Sequence, residues 1–280
     1  MGIDVNTRAI FTVAKKEFMD NVRNKWILAL TIIFIILTLV ISFAHGRGEL
    51  TGAEITVLGL LSISTLLVPI IAIMLGYASI SGEAETGSLS VVMAHPIRRV
   101  EVLLGKYIGL GAVLSTSIIL GFGIAGILIM TGDASDVAGY LVFIGLTILL
   151  GLVYLSLSIC FSAILKRRVT SLGAGIGLFF WAMIIGSVIM AIFWATGGDL
   201  MDLGTTGMPD WMWSSMMILS PSDMYQTATM LGFGLRELAV VGFEISVPDY
   251  ITLGKLLVIF ATWILAPFFV AYYFFKKRDI

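Results

Sequence analysis

The segment Ser81–Lys106, SGEAETGSLSVVMAHPIRRVEVLLGK, decides the fold of this chain, because it is charged and lies between two long apolar runs. The side chains in it that carry a formal charge are Glu83, Glu85, Arg98, Arg99, Glu101 and Lys106. Placing them in hydrocarbon would cost roughly 2.5–3.5 kcal/mol each, or about 15–20 kcal/mol together. The segment is therefore predicted to lie at a membrane surface, with a membrane span on either side holding it there.

The composition predicts an all-α membrane protein. Of the 280 residues, 59% are hydrophobic and 12% are charged, whereas a soluble domain has about 25% charged residues. Several apolar runs exceed the roughly 20 residues that a helix needs to cross a bilayer. Runs of this length satisfy their backbone groups internally only as helices. The single cysteine, Cys160, excludes a disulfide within the chain.

Six transmembrane helices are predicted within one transmembrane domain that covers residues 1–280. The apolar runs, each free of Asp, Glu, Lys and Arg, are 26–44, 55–78, 107–131, 137–165, 169–195 and 256–275. Fourteen of the 17 Lys and Arg residues then fall on one side of the membrane, and eleven of the 18 acids on the other. Since basic loops stay in the cytoplasm, we expect a multi-pass protein of the cell membrane with both termini cytoplasmic.

Two segments outside the spans have a pattern of their own, besides the cytoplasmic loop 79–106. Residues 8–25 are predicted to form an amphipathic helix along the inner membrane surface, with an apolar face made by Phe11, Ala14, Phe18 and Val22. Residues 196–250 are predicted to be an extracytoplasmic loop with short re-entrant or surface helices. Within it Pro221 opens a helix, and Ser220 or Ser222 is available as its cap.

Methionines of this outer loop leave two interpretations open. Met208, Met212 and Met216 share one face if the segment is helical. Thioethers are good ligands for Cu(I), which supports a copper hypothesis. Methionine also fills irregular apolar gaps, and this second interpretation needs no metal. No resident metal or cofactor is predicted.

No catalytic or nucleotide-binding pattern is present. The chain lacks a Walker loop and an H-E-x-x-H motif, and its two histidines, His45 and His95, are predicted on opposite sides of the membrane. The run Gly121–Gly126 matches the dinucleotide fingerprint by letter, but it lies within a span and follows no strand. If the protein moves a substrate uphill, the energy must come from another chain. We therefore predict a non-enzymatic membrane subunit.

Four short motifs resemble those of type-2 ABC exporter permeases. They are Gly82-Glu83-x-Glu85-x-Gly87-Ser88-Leu89, followed by Pro96-x-Arg98 and Gly105-Lys106, and the run AKKEF at 14–18 before the first span. The run LSPSD at 219–223 is similar to the subgroup of NosY-like permeases, which is linked to maturation of copper-containing nitrous oxide reductase. Ala84 and Ser88 depart from the family pattern, which often has a basic residue and a threonine there.

The resemblance implies the partners and the site. Such permeases bind two copies of an ABC ATPase subunit through a cytoplasmic coupling helix, and pair with a second permease copy, identical or paralogous. An extracytoplasmic accessory protein is a further implied partner, and nucleic acid is not. The coupling element maps onto Gly82–Leu89 and its flank through Arg99. The implied coupling residues are Glu83 and Glu85 for charge contacts to the partner or the N-terminal helix, Gly87 for close approach, Pro96 to end the helix, and Arg98 and Arg99 to anchor to phosphates.

Other functions remain as alternatives. A permease of this class could export lipid-linked glycans or small hydrophobic compounds instead of serving copper-enzyme maturation. An ATP-independent six-span channel or scaffold is a rival from a different class. An intramembrane enzyme is disfavoured, because no buried catalytic groups are predicted.

Overall fold

The structure, a computed structural model, describes residues 6–45, 53–130, 137–199, 207–240 and 243–278. These residues form a bundle of helices with one short β-hairpin. The helices are α1 (Thr7–Val22), α2 (Lys25–His45), α3 (Ala53–Gly76), α4 (Ser81–Thr86), α5 (Ser88–Met93), α6 (Arg99–Met130), α7 (Val137–Ile164), α8 (Arg168–Ala195), α9 (Asp210–Leu219), α10 (Pro221–Gly232) and α11 (Leu253–Lys277). The strands are β1 (Glu237–Val240) and β2 (Phe243–Ser246).

Five described helical segments are long and apolar enough to cross a membrane, which confirms the helical membrane class. They are Gly59–Thr86, Arg99–Ile124, Val137–Ile164, Arg168–Ala195 and Leu253–Lys277. The first predicted span corresponds to α2, a helix of 21 residues. Among its described side chains, α2 contributes the shorter apolar stretch Thr31–Val40. The six-span count therefore stays a prediction.

The core of the bundle lies around α7. This helix is apolar on all sides, as expected for a helix that other helices surround, and α3, α6, α10 and α11 pack against it. Three aromatic rings join α2, α6 and α7: Phe122 makes edge-to-face contacts with Phe34 and Phe143 at centroid distances of 4.9 and 4.7 Å. Edge-to-face pairs of this kind add to the stabilisation that burial gives.

One end of the bundle collects most of the cationic side chains, and we call it the basic end. It carries α1, α4, α5, the turn 166–168 and the tail 276–278. Here α1 packs against α6 at two glycines of α6. A Cβ atom at Gly109 would lie 2.5 Å from the Ala14 carbonyl oxygen, and one at Gly105 would lie 2.6 Å from Val13 Cβ. The close approach of α1 therefore requires glycine at both positions.

The face of α1 that packs on the bundle coincides only in part with the apolar face predicted for the membrane surface, and contact of that apolar face with a membrane stays a prediction. Val13, Ala14 and Glu17 are buried against the bundle, whereas Phe11 is 71% exposed. The helix is present, but it buries a carboxylate because a cation of α6 pairs with it, as described below. Apolar spacing alone could not predict that choice of face.

The helices α9 and α10 form a hairpin that enters the bundle. Ser220 separates them; its hydroxyl caps α10 by accepting a hydrogen bond from Asp223 N at 3.0 Å, and Pro221 is the first residue of α10. Both features confirm the predicted helix start. At this tip Ser222 Oγ lies 2.8 Å from the Tyr154 hydroxyl, and Ser220 Oγ donates to the Ala182 carbonyl at 3.4 Å.

The tip of this hairpin lies near half the height of the bundle. Tyr154 is ten residues from the end of α7 at Ile164, and Ala182 is fourteen residues from the start of α8 at Arg168. At 1.5 Å per residue these positions lie about 15 and 21 Å from the basic end. Since α7 and α8 are each about 42 Å long, α9 and α10 form a re-entrant pair, one of the two arrangements predicted for residues 196–250.

A two-stranded hairpin follows α10 and departs from the predicted all-α fold. β1 and β2 are antiparallel, and their register pairs Glu237 with Ser246 and Val240 with Phe243. The hairpin is too short to form a core of its own. The described chain is otherwise helical.

Candidate functional site

The predicted coupling loop 79–106 folds into two short helices, a turn and the start of α6. Gly87 joins α4 to α5 in the left-handed conformation, with φ of +74°. Glycine is required here because a side chain would strain this backbone. The α5 helix ends at Met93, and Pro96 stands in the turn after it, as expected for a residue that cannot continue a helix.

The helix that carries the third predicted span begins eight residues before that span, because α6 starts at Arg99 and not at 107. Glu101 explains this start. Its Oε2 accepts a hydrogen bond from Arg98 N at 2.9 Å, and its Oε1 accepts one from Asn6 N at 2.8 Å. A glutamate in the third position of a helix satisfies the free N–H groups at the helix start. A glutamate at this position is a helix-start signal that can be recognised in a sequence. Here the cap position holds Arg98 and not the usual Ser or Thr, so the start of α6 was not predicted.

Lys106 is buried and holds two carboxylates from different elements. Its Nζ lies 2.7 Å from Glu17 Oε1 and 2.8 Å from Glu83 Oε1, and its side chain is 2% exposed. Lys16 adds a second cation 3.9 Å from Glu83 Oε1. This cluster joins α1, α4 and α6. Glu83 therefore contacts the N-terminal helix, which was one of the two roles implied for it.

The start of α4 is held by α7. Ser162 Oγ accepts hydrogen bonds from Ile80 N at 3.0 Å and from Ser81 N at 2.9 Å, both of which are buried. A side-chain hydroxyl of another helix thus satisfies the first amide groups of α4, which have no partner within that helix.

The second acid of α4, Glu85, contacts the first residue of α8. Glu85 Oε1 accepts a hydrogen bond from Arg168 N at 3.1 Å, and its Oε2 lies 3.5 Å from Arg168 Nε. A carboxylate at the first residue of a helix also interacts favourably with the helix dipole. Together these contacts tie α4, six residues long, to α1, α6, α7 and α8.

Two arginines close the basic end by binding the carbonyl groups at helix C-termini. Arg99 Nη1 donates to the carbonyls of Phe275, Lys276 and Arg278 at the end of α11. Arg278 donates to carbonyls at the end of α7: Ser162 at 3.0 Å, Ala163 and Leu165 at 3.3 Å, and Lys166 at 3.2 Å. Burial lowers the pKa of the Arg278 guanidinium, and nearby Glu85 opposes this shift. Arg99 is thus occupied within the chain, while Arg98 is exposed.

The outward face of this element is available to a partner. Gly87, Ser88, Ser90, His95 and Pro96 are exposed, and so is Val91, at 65%. Leu89 is fully buried beneath them and fixes α5 to the core. Glu83 is directed to the chain itself, whereas Glu85 is exposed beside Arg168. The exposed surface is therefore made mainly by small, polar and apolar groups, with Arg98 as an exposed cation in the following turn.

The methionines of the copper hypothesis pack in an apolar cluster. Met212 is fully buried with Ile185, Ile189 and Phe193 of α8, and Met208 and Met216 pack against the same cluster. This packing is the gap-filling role of methionine. Across the described residues, no group of three or more His, Cys, Asp or Glu side chains could hold a metal ion. The copper hypothesis stays a prediction.

Asp223 is a polar feature that could not be located from the sequence, where it counts among the acids of an outer loop. The structure places it at the tip of the re-entrant pair, with Oδ2 buried and without a hydrogen-bond partner. Its LSPSD context signals a helix start. The depth of that start depends on how α9 and α10 pack, which local sequence does not specify.

The chain belongs to the ABC-2 family of transporter proteins, whose model matches residues 11–280. Within this family it is similar to two proteins with the name "Probable ABC transporter permease protein NosY". The one from Pseudomonas aeruginosa is 30% identical over 282 residues, covering 97% of this chain and 99% of that protein. The one from Stutzerimonas stutzeri is 28% identical over 283 residues, covering 96% and 98%.

Proposed function

We propose that this chain is the membrane subunit of an ATP-driven exporter that works as a pair of permeases with two copies of a separate ATPase subunit. Six spans, with α2 as the first, place both termini and the basic end in the cytoplasm. The distribution of Lys and Arg supports this orientation. The family membership supports an ATPase partner, because the chain carries no nucleotide-binding motif of its own.

The observation that carries the proposal is the attachment of α4 to four other helices. Buried contacts join it to α1 and α6 through Lys106 and to α7 through Ser162, and an exposed ion pair joins it to α8 through Arg168. A push on a short helix with such attachments moves the ends of several spans together. The α4–α5 element is therefore suited to transmit closure of an ATPase pair to the membrane.

The partner docks on the exposed face of α5 and the Gly87 turn. Val91 supplies apolar area there, and Ser88 and Ser90 supply hydrogen-bonding groups. Glu83, Glu85 and Arg99 act indirectly, since each holds the element in position through contacts within the chain. Pro96 and Arg98, both exposed in the turn before α6, complete the docking face.

The similarity to NosY permeases supports a role of the exporter in the maturation of a copper-containing enzyme. In this role the exporter moves a compound that the enzyme needs outside the cytoplasm, and an extracytoplasmic accessory protein receives it. Genes beside this one discriminate between the roles: a copper-handling protein favours maturation, and glycan-synthesis enzymes favour export of a lipid-linked glycan.

The coupling role is tested by replacing both acids of α4. We expect Glu83→Ala with Glu85→Ala to reduce capture of the cognate ATPase by the tagged permease at least about fivefold, since α4 loses its ties to Lys106 and Arg168. The buried contact with Lys106 contributes on the order of 1.5–3 kcal/mol, and the exposed pair with Arg168 about 0–1 kcal/mol. The measurement is quantitative co-purification from membranes, normalised to the amount of permease.

A matched control removes two acids from the opposite end of the bundle, Glu237→Ala with Asp249→Ala. This control keeps insertion and changes net charge equally, so it should leave ATPase capture unchanged. Equal capture by both double variants would contradict the coupling role of α4.

A further inference from the structure

The re-entrant tip brings a carboxylate to the middle of the bundle. Asp223 lies one residue from Ser222, whose hydroxyl contacts Tyr154. It lies against Gly186 of α8, since a Cβ atom built at Gly186 would be 3.6 Å from Asp223 Oδ2. Gly186 is 18 residues into α8 from Arg168, about 27 Å from the basic end. The other end of α8, at Ala195, is nine residues or about 14 Å away, so Asp223 lies within the height of the bundle.

At this level the carboxylate has no cationic partner among the described residues, and the Ser220 hydroxyl is its hydrogen-bonding neighbour. Oδ2 is buried without a hydrogen-bond partner. The helices packed against α10 are α3, α7, α8, α9 and α11. Their described cationic side chains are Arg168, Lys255, Lys276 and Lys277, and all four lie at helix ends. The position of Asp223 at a helix start offsets part of the cost of burial, but it supplies no counter-charge.

A second polar side chain lies one turn further along the same side of α10. Gln226 and Asp223 are both partly exposed, whereas Met224, Tyr225, Thr227 and Ala228 are buried against the bundle. The two polar side chains thus face away from the core of the single chain, near half its height. Lipid is an unfavourable neighbour for them, because an ionisable group at that depth needs a polar or charged partner.

We propose that Asp223 and Gln226 line the translocation pathway, and that Asp223 binds a cationic group of the transported compound. This inference rests on the proposed function only in assuming that the chain transports a compound. The unpaired carboxylate supplies the counter-charge that such a group needs when it leaves water, and Gln226 supplies a hydrogen-bonding neighbour. The same carboxylate repels a phosphate, so the site disfavours lipid-linked glycans with anionic linkages as substrates.

Tetraphenylphosphonium, a lipophilic cation, is the probe for this site. The full-length chain in lipid nanodiscs should bind it saturably. Asp223→Asn should weaken binding at least about tenfold, because an ionic contact in a site of low polarity is lost. Asp223→Glu keeps the charge and should stay within about threefold of the unmodified chain. Asp249→Asn, at the end of the molecule beside Arg236, is the matched control and should change nothing.

A chemical measurement covers the case in which Asp223→Asn fails to fold. Dicyclohexylcarbodiimide reacts with protonated carboxyl groups in apolar surroundings: the acid O–H adds across one C=N bond, and the acyl group then moves to nitrogen, with no leaving group. Mass spectrometry should find the adduct on Asp223 of the unmodified chain, and the adduct should abolish binding of the cation. Tetraphenylphosphonium added first should protect Asp223.

Three results would overturn the inference: no saturable binding, equal binding by the unmodified chain and Asp223→Asn, or undiminished binding after Asp223 carries the adduct. None of these measurements needs the ATPase. Unchanged ATPase capture by the Glu83→Ala, Glu85→Ala variant, together with saturable cation binding that depends on Asp223, would contradict the proposed function alone. Reduced capture by that variant, together with no saturable cation binding, would contradict this inference alone.

Discussion

Lys106 shows how a single residue can hold three helices together. An ammonium group pays a large desolvation cost when it is buried, and only close counter-charges offset that cost. Glu17 and Glu83 provide them at 2.7 and 2.8 Å. The two carboxylates belong to α1 and α4. If either helix separated from α6, its carboxylate and the Lys106 ammonium would lose their ion pair. The cluster therefore constrains the position of α4 relative to α1 and α6.

Replacing this lysine should be costly. We expect Lys106→Met to lower the free energy of unfolding by about 3–5 kcal/mol, because Glu17 and Glu83 would be left buried without their cation. Unfolding of the purified chain by a denaturing detergent, followed by circular dichroism, measures the change.

The control for this prediction is Lys15→Met on the exposed side of α1, for which we expect a change within about 0.5 kcal/mol. Adding Glu83→Gln to Lys106→Met should recover part of the loss, since one unpaired charge disappears. A loss no greater than that of Lys15→Met would show that the cluster does not constrain the fold.

At the scale of single residues, the sequence indicates which residues belong to the site better than it indicates which residues they contact. Glu83 could be predicted to meet a partner or the N-terminal helix, but its pairing with Lys106 required the packing of α1 on Gly105 and Gly109. Asp223 could not be placed, because a polar segment has the same composition whether it lies outside a membrane or folds back into a bundle. Both failures concern contacts between residues distant in sequence.

At the scale of elements, the ends of α7 and α11 need partners for their last carbonyl groups. The last turn of any helix leaves four such groups without an internal hydrogen bond. Arg278 satisfies those of α7, and Arg99 satisfies those of α11. A planar guanidinium can reach several carbonyls at once, whereas a lysine ammonium cannot reproduce that geometry.

Removing this cap should open the end of α7. We expect Arg278→Gln to speed amide hydrogen exchange in residues 164–168 about tenfold or more, since hydrogen bonds from a charged donor contribute roughly 1.5–3 kcal/mol. Arg278→Lys should restore only part of the protection. Hydrogen–deuterium exchange with mass spectrometry on the purified chain measures both.

Lys277→Gln is the comparison, because the Lys277 ammonium contacts only the Tyr273 side chain among the interactions described. Exchange at 164–168 should be unaffected by it. Similar acceleration in both variants would mean that the charge of the tail, and not the capping geometry, protects α7.

The positions of the long helices follow closely from the sequence, since apolar runs end where charges begin. α7 and α8 each begin or end within one residue of the predicted spans. The start of α6 was missed because its first two turns contain Glu101 and Lys106, whose burial depends on partners elsewhere. The β-hairpin was missed because four-residue strands carry too little pattern to separate them from a loop.

At the scale of the whole molecule, the basic end behaves as one connected unit. Charged or hydrogen-bonded contacts join α4 and α1 to the ends of α6, α7, α8 and α11. The opposite end is joined by apolar packing of α9 on α8. This asymmetry suits a protein that is driven from one side of a membrane.

The orientation and the span count are testable with single cysteines in a Cys160→Ala background. If α2 and α3 both cross the membrane, Thr7→Cys and Ser88→Cys lie on the same, cytoplasmic side. A membrane-impermeant maleimide should then label neither in intact cells, and both in opened cells. Asp249→Cys should be labelled in intact cells. Labelling of Thr7→Cys in intact cells would contradict the six-span arrangement.

The ion pair between Glu17 and Lys106 also constrains biosynthesis. The two residues are 89 positions apart, and ribosomes add roughly 5–20 residues per second. The N-terminal helix therefore waits on the order of 4 to 18 seconds for its docking site to be made. During that interval its charged face remains hydrated beside the translocation machinery. Assembly of the coupling region is thus timed by the arrival of the third span, and a chain stalled before Lys106 would expose an undocked helix to quality control.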